Sequence, residues 1–373
     1  MSDEAATHAP SADHPGRPRE EVHALPSYRP GRDAAQAERD HGITGAVKLA
    51  SNEMPEPPIP AVVAAVTEAA SGVNRYADHR AGAVRAALAE RLGVTSESVT
   101  VGNGSSGVLQ QIFQTYVARG DRVLYPWRSF EVYPIYTRLA GGEAATVPLD
   151  ARLSVDVDGL IAALTPETRL VVVATPNNPT GTATSTADLA RLATAAGLGT
   201  IIVVDEAYRE FDADGDDAID DLLPDHPNVV VTRTLSKAQG LAGLRIGYGV
   251  GHPAVIADID KVALPFAVNA LAQAAALAAL QHPEEIAERV GRVVAERIRV
   301  ESTLRAAGWD LPDHRGNFVW LSTGARTASI AVDLERAGVV VRPFADEGIR
   351  VTIGSATEND RFLAALNGVS PGG

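Results

Sequence analysis

The 373-residue chain contains no cysteine, and only three of its 33 basic residues are lysines. The absence of cysteine excludes disulfides, thiolate metal ligands and a cysteine nucleophile. The sequence also lacks an uninterrupted apolar run of about 18 residues and the basic-then-apolar start of a secretion signal. A net charge of −14 argues against nucleic acid or an anionic membrane as the main partner, because both are bound by clustered Lys and Arg. We therefore expect a cytoplasmic protein.

The scarcity of lysine makes each of the three informative. An arginine stays charged, whereas a lysine amine can lose its proton and act as a nucleophile, as Schiff-base chemistry requires. Lys48 opens an apolar run, and Lys261 lies in a stretch typical of a solvated helix turn. Lys237 follows the apolar run 229–232 and is flanked by small residues and glycines, which allow a backbone to approach a ligand closely. Lys237 is therefore the candidate nucleophile, and a surface lysine in a loop is the alternative.

The composition and periodicity of the sequence predict four segments. Residues 1–24 are rich in Pro, Ala, Asp, Glu and His without periodicity, which is typical of a disordered tail. Residues 25–48 form a proline-punctuated N-terminal arm. Residues 49–260 are predicted to form a large α/β domain, and residues 261–373 a smaller α+β domain with which the arm packs.

Apolar runs of four to six residues alternate with amphipathic helices from Val99 onward, as in a mostly parallel sheet with helical crossovers. The seven predicted strands are 99–101, 122–125, 145–149, 170–174, 200–205, 229–232 and 247–251. The predicted helices outside this region are 60–71, 81–92, 271–280 and 283–307. Short strands are predicted at 317–321, 339–341 and 349–353.

Polar residues follow several of these strands, and the carboxyl edge of such a sheet is where ligands bind. Asp205 ends a wholly apolar strand, where a buried carboxylate without a cationic partner would be strongly unfavourable. The pyridinium nitrogen of pyridoxal phosphate is a suitable cation, and an aspartate there keeps the ring an electron sink. The alternative is that Asp205 caps a following helix.

Two further strand ends fit the same ligand. Asn178 lies in the turn Thr-Pro-Asn-Asn-Pro-Thr-Gly and presents an amide that can donate to a ring hydroxyl, although an Asn-Pro turn without a ligand is also common. The stretch 102–107 runs from a strand into a helix, so its N–H groups can hold a phosphate. It also matches the dinucleotide fingerprint G-x-G-x-x-G, but the acidic residue expected after the next strand is missing. A mononucleotide-sized phosphate therefore suits this stretch better.

Taken together, these motifs resemble those of the fold-type I, pyridoxal-phosphate-dependent aminotransferases, in the branch of histidinol-phosphate and aromatic amino acid aminotransferases. The resemblance covers about residues 25–366. It implies an α/β fold with a mostly parallel seven-stranded sheet, a smaller α+β C-terminal domain, and a homodimer. It places the Schiff-base lysine at Lys237, the partner of the pyridine nitrogen at Asp205, and the partners of the ring hydroxyl at Tyr208 and Asn178. The remaining cofactor contacts that it implies are Gly104, Ser105, Ser106, Ser236 and Arg245 at the phosphate, Phe130 stacked on the ring, and Tyr76 from the neighbouring subunit.

The resemblance also implies a substrate site. Arg350, in Gly-Ile-Arg-Val-Thr-Ile-Gly, matches the arginine that binds the substrate carboxylate, and an arginine can do so with two parallel N–H bonds. Tyr28 of the arm is expected to border the substrate. The other residues assigned to the substrate site are Asn52, Asn317 and Arg342.

The side chain of the substrate is less well defined by the sequence. The stretches around Phe130, Phe266 and residues 317–321 resemble actinobacterial aromatic aminotransferases, which favours phenylalanine and tyrosine as donors and 2-oxoglutarate as acceptor. Histidinol-phosphate enzymes usually have a tyrosine where Phe266 stands, and histidinol phosphate is the alternative donor. Four departures from the family pattern leave a specialised amino acid of secondary metabolism open, and we expect them near the substrate mouth. They are Met54, Glu56, Gln239 and Ala263.

Other classes of protein explain less of the sequence. A nicotinamide dehydrogenase would use residues 102–107 and leave Asp205 and Lys237 without a role. A regulator built on this fold would need a DNA-binding module, for which residues 1–24 are too short and too acidic. A pyridoxal-phosphate decarboxylase or lyase would share the cofactor residues, and the motif around Arg350 argues against it.

Overall fold

The computed structural model describes residues 16, 18–23, 25, 32–212 and 214–369. Tyr28 and most of the predicted tail, residues 1–15, 17 and 24, lie outside the described residues. The short helix α1 (Glu20–His23) falls within the segment for which no regular structure is predicted. Beside it, Arg19 donates a 3.2 Å hydrogen bond to the Leu139 carbonyl, so a contact with a distant segment accompanies this helix.

The described chain alternates helices and strands along most of its length. Its strands are β1 (Val47–Lys48), β2 (Val99–Gly102), β3 (Arg122–Trp127), β4 (Glu143–Pro148), β5 (Thr168–Ala174), β6 (Ile201–Asp205), β7 (Val229–Thr234), β8 (Gly247–Gly251), β9 (Phe318–Ser322), β10 (Val339–Val340), β11 (Arg342–Phe344) and β12 (Gly348–Thr352). The helices after α1 are α2 (Ala34–His41), α3 (Pro60–Ala70), α4 (Gly82–Leu92), α5 (Gly104–Tyr116), α6 (Val132–Ala140), α7 (Val157–Ala162), α8 (Thr186–Ala196), α9 (Ala218–Leu222), α10 (Pro253–Asp260), α11 (Ala270–Leu280), α12 (Pro283–Ala306), α13 (Thr327–Arg336) and α14 (Ala356–Leu366). No described helix is long and apolar enough to cross a membrane.

The central sheet has seven strands in the order β2-β8-β7-β6-β5-β3-β4. Only β8 runs against the others, because it pairs antiparallel with both β2 and β7. The chain moves outward from β3 to β4 and then returns to β5 on the other side of β3. The strand order therefore reverses between β3 and β5, and a crevice opens beyond the carboxyl ends of strands at such a point.

Both faces of the central sheet are buried. Val171, Val173 and Val204 pack in one apolar cluster, and Val172 and Val203 pack in a second cluster on the opposite face. Successive side chains of a strand point to opposite faces, so a strand buried on both faces needs a continuous apolar sequence. This requirement explains the uninterrupted apolar runs in β5, β6 and β7.

The C-terminal part contains a second, antiparallel sheet in the order β11-β12-β9. The N-terminal arm joins this part through β1, which pairs parallel with β10. The sequence predicts a single strand over 339–341, whereas the structure has β10 and β11 on either side of Val341 in two different sheets.

The predicted α/β architecture with a seven-stranded, mostly parallel sheet is confirmed, and each predicted strand of that sheet is present to within three residues at either end. The division into domains at residues 48 and 260 stays a prediction.

Candidate active site

The carboxyl ends of the parallel strands surround a cavity of about 280 Å³. Loops after β3, β5, β6 and β7 supply its walls, and the segment before β8 completes them because β8 begins at this edge. Predicted site residues that line the cavity are Ser105, Ser106, Phe130, Asn178, Asp205, Tyr208, Ser236, Lys237, Arg245, Arg342 and Arg350. The structure thus brings together residues that are separated by up to 245 positions in the chain.

Lys237 follows β7 in the turn that leads towards β8. Its Nζ donates a 3.0 Å hydrogen bond to the Ser51 carbonyl and lies 5.7 Å from the centre of the Tyr208 ring. Burial, reinforced by the nearby Arg350 guanidinium, lowers the pKa of Lys237 to about 7. No described carboxylate forms an ion pair with this amine. A substantial fraction of the amine is therefore neutral and nucleophilic near neutral pH.

Asp205 is the last residue of β6 and is only 4% exposed. Its Oδ2 accepts a 2.7 Å hydrogen bond from the Tyr133 hydroxyl, and its Oδ1 accepts a 3.2 Å bond from Thr232 Oγ1. Burial raises the pKa of Asp205 to about 6, although both hydrogen bonds favour the ionised form. Two neutral donors thus hold this carboxylate against the cavity, and no cation in the described chain forms a salt bridge with it.

A corner suited to a phosphate lies at the start of α5. The helix begins at Gly104 without a side-chain cap, so N–H groups of its first turn point out of the helix end. A Cβ at Gly104 would lie 2.6 Å from Arg245 Nη2, and the residue has φ of +71°. Glycine therefore permits the close approach of the Arg245 guanidinium, which also lies 3.4 Å from Ser236 Oγ.

Arg350 extends from the middle of β12 and is oriented by two acceptors. Its Nη1 donates to Asn178 Oδ1 at 2.6 Å, and its Nη2 donates to the Ala50 carbonyl at 2.7 Å. The guanidinium carbon lies 5.7 Å from the centre of the Phe318 ring. These contacts come from three separate segments of the chain, so the guanidinium is held in a defined orientation at the cavity wall.

Asn52 and Asn317 lie behind the wall rather than in it. Both are fully buried, and Asn52 Nδ2 donates a 2.9 Å bond to the Tyr208 hydroxyl. Asn317 Nδ2 in turn donates to the Asn52 carbonyl at 3.1 Å, and Thr352 Oγ1 donates to Asn52 Oδ1 at 3.0 Å. Their geometry suits fixing the Tyr208 hydroxyl better than touching a substrate.

Two aromatic rings and an ion pair also line the cavity. Phe130 and Phe344 line it, and Arg342 lies with its guanidinium 5.7 Å from the centre of the Phe344 ring. Arg342 Nη2 donates a 2.7 Å hydrogen bond to Glu131 Oε2. The apolar rings of Phe130 and Phe344 thus line the same cavity as the Arg342 guanidinium, which is already paired with the carboxylate of Glu131.

Tyr76 does not reach the cavity of its own chain. Its side chain is 84% exposed and stacks on Phe266, with ring centres 4.6 Å apart. His79 contacts the same Phe266 ring edge-on at 5.1 Å.

The four departures from the family pattern, Met54, Glu56, Gln239 and Ala263, do not line the cavity itself, and their expected place near the substrate mouth stays a prediction. Gln239 Nε2 donates to Glu210 Oε1 at 3.1 Å, and Glu56 pairs with Arg289 of α12 at 3.1 Å. Neither partner, Glu210 or Arg289, lines the cavity.

A larger cleft of about 820 Å³ lies elsewhere, between residues 151–154, 182–186 and 308–313. None of the predicted site residues lines it. Two charged residues in it, Asp212 and Arg315, already pair with one another at 3.3 Å. Volume favours this cleft, but the chemistry favours the smaller cavity, where a buried amine and a buried carboxylate lack ionic partners.

Sequence reasoning assigned no role to Tyr133, Thr232 and Glu131. Tyr133 follows Phe130 by three residues, and the two rings contact edge-on with their centres 5.7 Å apart. Thr232 pairs with Asp205 across β6 and β7. A strand register is set by the folded sheet, so this partner could not be read from the sequence.

The donor set fits pyridoxal phosphate. The corner at Gly104 and Arg245 suits an anionic group, Asp205 lacks a cationic partner, and Lys237 is a buried amine that titrates near neutrality. One group that carries a phosphate, a basic ring nitrogen and an aldehyde would satisfy all three.

Comparison with known proteins gives an independent result. The family model for aminotransferase class I and II matches residues 44–366. Proteins named aromatic amino acid aminotransferase are 46% identical over 347 residues in Streptomyces coelicolor, covering 92% of this chain and 95% of the relative, and 45% identical over 348 residues in Rhodococcus jostii, covering 93% and 94%.

Among solved structures, histidinol-phosphate aminotransferase from Sinorhizobium meliloti in complex with pyridoxal-5'-phosphate has a TM-score of 0.86 at 31% identity, covering 95% of this chain and 98% of its own. A mutant aspartate aminotransferase from Thermus thermophilus has a TM-score of 0.79 at 27% identity, covering 94% and 100%. The chain therefore belongs to the class I and II aminotransferase family, and the prediction of a pyridoxal-phosphate-dependent aminotransferase is confirmed.

Proposed function

We propose that the protein transfers the amino group of an aromatic L-amino acid, phenylalanine or tyrosine, to a 2-oxo acid such as 2-oxoglutarate. The observation that carries this proposal is the composition of one cavity. It places the amine of Lys237 and the guanidinium of Arg350 together with the rings of Phe130 and Phe344. The relatives named aromatic amino acid aminotransferase support the same substrate class.

The cofactor, when bound, supplies an electron sink for the negative charge that develops at the substrate Cα. Lys237 Nζ is the atom that we assign to the covalent bond with the cofactor aldehyde carbon. As a free neutral amine, Nζ would accept a proton from the substrate Cα and donate it back at the cofactor side. The depressed pKa of Lys237 leaves enough neutral amine for this transfer near neutral pH.

Asp205 is proposed to stabilise a proton on the ring nitrogen. Its carboxylate is held ionised by the hydroxyls of Tyr133 and Thr232, and a cationic partner would lower its raised pKa. Tyr208 and Asn178 are proposed to bind the ring hydroxyl oxygen, with Asn52 and Asn317 positioning Tyr208. The proposed phosphate ligands are Gly104, Ser105, Ser106, Ser236 and Arg245, and Phe130 is proposed to stack on the ring.

Arg350 is proposed to bind the substrate α-carboxylate. A guanidinium can offer two parallel N–H groups to a carboxylate, and the present acceptors of Arg350 already fix its plane. The side chain of the substrate would then extend towards Phe130, Phe344 and Arg342. Tyr28, outside the described residues, stays a predicted neighbour of the substrate.

We also propose a homodimer in the cytoplasm. Tyr76 and Phe266 form an exposed aromatic pair, although aromatic rings of this size are usually buried. Contact with a second copy would cover the pair and bring Tyr76 to the phosphate corner of the neighbouring cavity.

Histidinol phosphate is the second candidate donor, because Arg342 lines the cavity and a guanidinium binds phosphate well. A panel of amino donors with 2-oxoglutarate as acceptor separates the candidates. We expect phenylalanine and tyrosine to have the highest kcat/KM. Exclusive turnover of histidinol phosphate would refute the aromatic assignment, and carbon dioxide release without amino transfer would indicate a decarboxylase.

A further inference from the structure

The ion pair between Glu131 and Arg342 joins two parts of the chain across the cavity. Glu131 follows β3 in the central sheet, whereas Arg342 begins β11 in the C-terminal sheet. Arg342 Nη2 and Glu131 Oε2 are 2.7 Å apart, and the two side chains are 15% and 35% exposed. Both side chains line the cavity beside Phe130 and Phe344.

Glu131 stands at the N-cap position of α6, yet its side chain makes no capping hydrogen bond there. An acidic group near a helix N-terminus is normally stabilised by the N–H groups of the first helical turn. Glu131 instead pairs with Arg342, and makes no hydrogen bond to those N–H groups. The carboxylate is also about one third exposed. Once displaced from Arg342, it can be solvated by water, so the ion pair can open without leaving a buried, unpaired carboxylate.

On the basis of the proposed function, we propose that Glu131 is a specificity-determining residue that competes with anionic substrate side chains for Arg342. An uncharged aromatic side chain can pack against Phe130 and Phe344 while the ion pair stays intact. A dicarboxylate such as 2-oxoglutarate, or a phosphate ester, must first take the place of the Glu131 carboxylate. Glu131 thereby sets the preference between ring-bearing and anionic substrates at one cavity.

The test measures binding to the holoenzyme rather than turnover. Glutarate carries a second carboxylate, whereas 3-phenylpropanoate carries a phenyl ring in its place, and both lack the amine. Replacing the carboxylate (Glu131→Gln) removes the competing charge but keeps an oxygen that can accept from Arg342. We expect glutarate to bind about three- to tenfold more tightly to the variant and 3-phenylpropanoate to change by less than about twofold. Glu131→Ala should likewise tighten the binding of glutarate and leave the binding of 3-phenylpropanoate nearly unchanged.

A matched control is available in the neighbouring ion pair of Arg128 and Glu347. Arg128 Nε donates to Glu347 Oε2 at 2.8 Å, and this pair also joins the segment after β3 to the C-terminal sheet. Neither of its side chains lines the cavity. Glu347→Gln should therefore leave the ratio of the two affinities unchanged.

An unchanged affinity for glutarate in both Glu131 variants would overturn the proposal. An equal gain in Glu347→Gln would also overturn it, because the effect would then come from loosening the two parts of the chain. Failure of the donor panel to show phenylalanine turnover would reject the proposed function instead, and the binding ratio would still report on Glu131.

Discussion

The ionised carboxylate of Asp205 lowers the free energy of unfolding of the cofactor-free protein. Burial raises its pKa from 3.8 to about 6. One unit corresponds to 1.36 kcal/mol, so ionised Asp205 should lower the stability of the cofactor-free protein by about 3 kcal/mol relative to a neutral group. This value is an upper bound, because the surroundings of a buried charge relax.

The sign of the pH dependence follows from this shift. A carboxyl group with a raised pKa in the folded state stabilises that state fully below its unfolded pKa. This contribution is lost as the pH rises from about 4 to about 6. Asp205→Asn should therefore raise the unfolding temperature of the cofactor-free protein at pH 8 and leave it nearly unchanged at pH 4. In the same variant, the affinity for pyridoxal phosphate and the rate of transamination should fall, because no negative charge then faces the ring nitrogen.

Thermal unfolding of wild type and variant, with and without cofactor at both pH values, measures these effects. Thr232→Val is a useful control, because it removes one donor to Asp205 but keeps the carboxylate. A cofactor-free Asp205→Asn protein that is less stable than wild type at pH 8 would refute the reasoning. So would a variant with unchanged cofactor affinity.

Three further predictions follow from other parts of the site. In the cofactor-free protein at about pH 7.5, an amine-reactive label followed by peptide mass spectrometry should modify Lys237 faster than Lys48 or Lys261, because its pKa is lowered to about 7; equal rates would argue against a neutral amine. Arg350→Lys should reduce kcat/KM about ten- to a hundredfold, mainly through KM, because a lysine cannot make two parallel hydrogen bonds to the carboxylate. A reduction confined to kcat would contradict that role. Tyr76→Phe should weaken cofactor binding while leaving the thermal stability of the cofactor-free protein unchanged, since its side chain is 84% exposed in one chain; unchanged cofactor affinity in the dimer would remove Tyr76 from the site.

The sequence was most informative where one physical requirement determined the residues. A strand buried on both faces must be continuously apolar, and the runs at β5, β6 and β7 were therefore located to within two residues. The position of Asp205 at the end of such a run predicted a buried carboxylate, which the structure contains. A lysine in a chain that otherwise uses arginine likewise drew attention to Lys237, which lies in the cavity.

The sequence was least informative where a contact depends on three-dimensional pairing. Nothing near Glu131 predicts that it meets Arg342, because 211 residues separate them and the contact forms only when the two sheets come together. Asn52 and Asn317 were assigned to the substrate, yet the Asn52 amide donates to the Tyr208 hydroxyl and the Asn317 amide to the Asn52 main-chain carbonyl. Polar residue types identify groups that need partners, but the fold decides which partners they find.

The central claim is that Lys237 binds the cofactor covalently through its Nζ. Borohydride reduction of the holoenzyme, followed by peptide mass spectrometry, tests this claim most directly, because the chain has only three lysines. We predict a single phosphopyridoxyl group on Lys237. The same group on Lys48 or Lys261, or no modified lysine in a protein that retains its cofactor and activity, would contradict the account.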